Sequence, residues 1–150
     1  MADLRELYQE VILDHHKRPR NCRRPDDANK HADGFNPLCG DKVSVFVRME
    51  DGVVRDIAFQ GSGCAISTAS ASMMTESLKG KSEAEVTQIF ERFHDLVTGK
   101  TPMDGDNSGL GKLAVFAGVR DYPVRIKCAT LAWHTLRAAL AGSQETVATE

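Results

Sequence analysis

Val43-Ser44-Val45-Phe46-Val47-Arg48-Met49-Glu50-Asp51-Gly52-Val53-Val54-Arg55-Asp56-Ile57-Ala58-Phe59-Gln60 reads as a β-hairpin, and that reading decides the fold. Val43, Val45, Val47 and Met49 alternate toward one side, as a strand with one buried face requires. Asp51-Gly52 is a strong hairpin signal, because both residues tolerate the positive φ angles of a tight turn. Val53 to Gln60 supplies the return strand. Upstream, residues 18–38 are polar, contain Pro19, Pro25 and Pro37 and show no period, so they read as loop; residues 30–38 within them can supply a third strand.

Helical patterns flank the hairpin. Over residues 3–16, Leu4, Leu7, Tyr8, Val11, Ile12 and His15 recur on one helical face behind an Asp3 N-cap. His15 and His16 fall in the last turn, where capping or packing is the expected role. After Gly61-Ser62-Gly63-Cys64 comes a small-residue helix, Ile66 to Met74, ending near Gly80. Its composition implies that another element packs closely on it, with Met73 and Met74 filling core space. Ser82-Glu83-Ala84-Glu85 has the form of a capping box, opening a helix that buries Val86, Ile89, Phe90, Phe93 and Val97. Leu110 to Ala117 reads as a short apolar helix. A last helix is expected from about Cys128 to Ala141, with Leu131, Trp133, Leu136 and Leu140 as its apolar positions. The expected architecture is α+β: an antiparallel sheet of about three strands, helices on one face and a metal site at one end. Residues 1–142 form one domain, and residues 143–150 show no reason to be ordered.

Several function classes are excluded early. A net charge of −2 over 150 residues gives no electrostatic case for nucleic acid or an anionic membrane. No apolar run approaches the ~20 residues that span a bilayer. The N-terminus lacks the basic-then-apolar layout of a signal peptide, so the chain reads as cytoplasmic. Gly99-Lys100-Thr101 lacks the earlier glycine of a P-loop. Asp104, Asp106 and Asn107 lack the bidentate Glu of an EF-hand and read as a solvated loop.

In a reducing compartment, four cysteines point to metal ligation or reactive thiols rather than disulfides. Cys22 sits in a basic loop with no motif around it and reads as incidental. The others each have a signature: Asn36-Pro37-Leu38-Cys39-Gly40-Asp41, Gly61-Ser62-Gly63-Cys64-Ala65 and Arg125-Ile126-Lys127-Cys128-Ala129. Glycine allows close backbone approach, and the helix N-termini expected at Cys64 and Cys128 favour thiolate. Cys39, Asp41, Cys64 and Cys128 therefore make a candidate four-ligand zinc or iron site.

These three signatures resemble the cysteine motifs of the IscU/NifU-like iron–sulfur assembly family. Leu7-Tyr8-Gln9-Glu10-Val11-Ile12-Leu13-Asp14-His15-His16 is similar to that family's start, and the resemblance runs in order over roughly residues 4–140. Scaffold members place histidine before the third cysteine and a Leu-Pro-Pro-Val-Lys chaperone motif upstream. This chain has Lys127 and Tyr122-Pro123-Val124-Arg125 there, with an extra segment around residues 98–120 like that of the SufU branch. The resemblance thus implies a zinc-dependent sulfurtransferase, with zinc on Cys39, Asp41, Cys64 and Cys128. It further implies that a SufS-type, pyridoxal-phosphate-dependent cysteine desulfurase forms a persulfide, and that a histidine of that enzyme replaces Cys39 on the zinc. Cys39 then takes the sulfur while Asp41 and Cys64 hold the metal, Arg125 stabilises thiolate charge, and downstream iron–sulfur assembly proteins receive the sulfur. The alternatives are a scaffold holding a transient [2Fe–2S] cluster and a module with purely structural zinc.

Overall fold

The computed structural model describes residues 4–37, 40–100, 110–120, 122–142 and 147–148, with side chains left aside at 4–8, 111–112 and 147–148. Expectations for the Asp3 cap, for the packing of Leu4, Leu7 and Tyr8, for Cys39, for the loop at Asp104–Asn107 and for most of the tail lie outside these residues.

The hairpin forms as the alternation requires. Strands β2 (Asp41–Glu50) and β3 (Val53–Ser62) pair antiparallel, with a bulge at Arg48/Met49. Asp51 and Gly52 both take positive φ, 55° and 75°, the combination a type I′ turn demands. Strand β1 (Lys30–Asn36) comes from the loop-like region and pairs antiparallel with β2, from Lys30↔Val47 to Asn36↔Asp41. A two-residue strand, β4 (Val147–Ala148), lies parallel to β1 and makes the sheet order β3-β2-β1-β4. The tail was expected to carry no regular structure; two residues held by backbone pairing leave no periodicity to read. The outer edge of β3 is covered where Phe59 exchanges backbone hydrogen bonds with Asn21 and Arg23. Exposed Cys22 lies between those two residues, so its segment blunts the sheet edge.

Helices α1 (Leu4–Lys17), α2 (Ala65–Leu78), α3 (Glu83–Thr98) and α4 (Pro123–Ala141) supply the rest, with a 3-10 helix at Gly111–Val119. The Ser82/Glu85 capping box is present in full at the start of α3. His15 is buried with its Nδ1 2.7 Å from Ser72 Oγ, so it joins α1 to α2, while His16 is exposed. The small residues of α2 do admit a close neighbour, namely α4. Ser70 Oγ donates to the Ala129 carbonyl at 2.5 Å and accepts from Trp133 Nε1 at 3.1 Å. Val43, Val45, Val47, Ile57, Met74, Leu131, Trp133 and Leu136 belong to one buried core between sheet and helices.

The α3–α4 face carries a titratable pair. His94 and His134 have ring centroids 5.9 Å apart, edge to face, beside Phe90, Glu91, Asp95 and Arg137. Burial, then the neighbouring His94 and Arg137, push the His134 pKa below its usual value of 6.5. Protonation is thus favoured in the unfolded chain, and stability contributed by neutral His134 is lost as pH falls below about 6.5. Thermal unfolding of His134→Gln is expected to show a shallower loss of Tm between neutral pH and pH ~5 than the parent.

Candidate metal centre

Three elements deliver three donors to one end of the sheet. Asp41 opens β2, Cys64 is the N-cap of α2, and Cys128 lies in the second turn of α4. One carboxylate oxygen and the two sulfurs all lie within 4.8 Å of one another. Asp41 is fully buried and Cys128 nearly so, whereas Cys64 is half-buried. The expected start of the last helix at Cys128 is corrected: α4 begins at Pro123, whose fixed φ and missing N–H suit a first helical position. Cys128 therefore lies beyond the free N–H groups of the helix start.

The hydrogen bonds explain how the donors are held. The Cys64 N–H donates to Asp41 Oδ1 at 2.8 Å, and Cys64 Sγ lies 3.7 Å from Asp41 Oδ2. The Ser67 N–H points at Cys64 Sγ at 3.4 Å, the usual duty of an N-cap side chain performed here by sulfur. Asn36 Nδ2 donates to Cys128 Sγ at 3.6 Å. A hydrogen bond from Cys128, reinforced by the Ser67 and Ile66 N–H groups, lowers the Cys64 pKa to about 7 against the opposing effects of burial and Asp41. Gly63 makes the arrangement possible. A Cβ there would stand 2.6 Å from Asp41 Oδ1 and 3.0 Å from its Cγ.

This donor set fits zinc. The two sulfurs and one carboxylate found among the described residues suit a thiophilic tetrahedral ion, whereas calcium and magnesium require oxygen shells. Arg125, three residues before Cys128 on the same helix face, is exposed, with its guanidinium 4.5 Å over the Tyr122 ring. Cys39 lies outside the described residues; of its neighbours, Gly40 donates its N–H to the Asn36 carbonyl at 2.8 Å. Asn36 escaped the sequence reading as a site residue; its place at the head of the first cysteine signature was the available signal.

An α+β domain with buried thiol and carboxylate donors at the sheet's end is the class of protein defined here. The chain belongs to the NifU-like N-terminal domain family, whose model matches residues 7–129. The chain is 41% identical over 140 residues, 93% of each chain, to the zinc-dependent sulfurtransferase SufU of Bacillus subtilis. It is 40% identical to the iron–sulfur cluster assembly scaffold protein IscU of Streptococcus pyogenes, covering 93% of this chain and 86% of that one. The crystal structure of FiSufU from Fervidobacterium islandicum, described as an iron–sulfur cluster assembly scaffold protein for the SUF system, superposes with a TM-score of 0.82. Its identity is 34%, covering 89% of this chain and 96% of that one. Among the described residues, no helix is long and apolar enough to cross a membrane.

Proposed function

We propose that this chain is a zinc-dependent sulfurtransferase that takes persulfide sulfur from a SufS-type cysteine desulfurase onto Cys39 and passes it to iron–sulfur assembly. The observation that carries the reading is the Asp41/Cys64/Cys128 cluster, with both sulfurs steadied by N–H donors. Cys39, Asp41, Cys64 and Cys128 would hold zinc, which would keep the thiols deprotonated near neutral pH.

The Cys39 thiolate attacks the terminal sulfur of the desulfurase persulfide. A new S–S bond forms on Cys39, the donor's S–S bond breaks, and the electron pair leaves on the desulfurase thiolate. Sulfur passes with no external oxidant or reductant. Asp41 holds Cys64 through its backbone N–H, and Cys128 is buried, so these donors are suited to stay in place. Arg125, exposed on α4 three residues before Cys128, is the cation assigned in this reading to the charge that develops on the thiolate.

Desulfurase turnover with cysteine and reductant tests this. The zinc-loaded protein is expected to stimulate turnover strongly. Absent stimulation, with a coloured cluster forming on addition of iron and sulfide, would establish the scaffold reading that the Streptococcus pyogenes relative's name suggests.

A further inference from the structure

We propose that Asn36 is a positioning residue of the metal centre, fixing Cys128 through a hydrogen bond from its side-chain amide to the sulfur. The inference rests on metal binding by the thiol cluster and adds a residue outside the ligand set. Asn36 is completely buried, and its Nδ2 lies 3.6 Å from Cys128 Sγ. Its register partner across β1 and β2 is Asp41, and residues directly opposite in a sheet share a face. Asn36 and Asp41 therefore approach the cluster from adjacent strands. The backbone of Asn36 is pinned as well, because its carbonyl accepts from the Gly40 N–H at 2.8 Å.

The chemistry favours this role. Cys128 has lost the helix-terminus donors that the sequence promised it, since α4 begins at Pro123. An amide N–H directed at the sulfur partly replaces them and orients the lone pairs left for the metal. Partners that hold a ligand from outside the coordination shell typically alter metal affinity by about 10–100-fold when removed.

Asn36→Asp keeps size and shape while exchanging the amide donor for a carboxylate oxygen. Chelator competition is expected to show zinc affinity falling by about 10–100-fold, with the pH needed for half-loading moving upward. The cobalt-substituted variant should show shifted thiolate-to-cobalt charge-transfer bands. A purely structural Asn36 would lower the Tm of the metal-free chain yet leave affinity, pH profile and cobalt spectrum at parental values, and that result overturns the proposal. If the variant does not fold, the parent protein loaded with NMR-active cadmium decides. A scalar coupling between the Asn36 amide proton and the metal, carried through Cys128 sulfur, is the expected result. Bound cadmium without that coupling refutes the role of Asn36 while leaving the sulfur-transfer reading intact. Failure to bind cadmium or zinc at all removes the metal reading and this inference together.

Discussion

Cys39→Ala is expected to accept no sulfur from a SufS-type desulfurase and to abolish the stimulation of its turnover, while the domain stays folded. The argument begins with the other two thiols. Cys128 is buried in the second turn of α4 and accepts from Asn36, and Cys64 is held as the N-cap of α2. Neither can follow a persulfide outward without breaking the hydrogen bonds that hold it. Cys39 stands in the sequence between Pro37 and Asp41, in the Pro37-Leu38-Cys39-Gly40 signature, and it is the thiol left for the acceptor role in the proposed reading. Mass spectrometry after incubation with desulfurase and cysteine should find one added sulfur on the parent and none on the variant. Far-UV circular dichroism should be unchanged. Sulfur uptake retained at the parental level in the variant would move the acceptor role to Cys64 or remove the reading altogether.

The legibility of this chain in sequence followed the strength of local signals. The β2–β3 hairpin was readable because alternation and the Asp51-Gly52 turn agree, and α3 because its capping box and apolar face agree. Asp41, Cys64 and Cys128 stood out in the sequence because glycine and polar settings around cysteine demand a reason, and the fold brings their donor atoms within 4.8 Å of one another. Strand β1 was harder to place. His31 and Asp33 alternate with buried Ala32, but Phe35 and Gly34 interrupt any apolar rhythm, and the strand depends on β2 for its definition. The start of α4 was placed five residues late, because Val124, Arg125 and Lys127 expose polar or apolar surface without a period that marks a helix. Pro123 carried the signal, because proline suits the first position of a helix. Asn36 was invisible as a site residue because its partner lies 92 positions away, a separation that only the packing of α4 on the sheet closes.

Trp133→Ala is expected to destabilise the domain by about 3–5 kcal/mol, the usual cost of emptying a buried aromatic site. Trp133 is 1% exposed and stacks on Phe93 at 4.4 Å between centroids, with Phe90 edge-on at 6.4 Å. Its Nε1–H donates to Ser70 Oγ, and that hydroxyl donates onward to the Ala129 carbonyl. The ring therefore joins α3 to α4, and its indole N–H joins α4 to α2. Those last two helices carry Cys128 and Cys64, so loosening their contact should also widen the gap between the sulfurs. Trp133→Phe separates the two effects, since it keeps an aromatic ring and deletes the N–H donor. It should cost about 1 kcal/mol for the lost bond, plus a smaller packing defect. Thermal unfolding of the metal-free chains measures the first effect, and zinc affinity by chelator competition measures the second. A Trp133→Ala protein with parental zinc affinity would show that the sheet and Asp41 alone set the geometry of the centre, independently of how tightly α2 and α4 are joined.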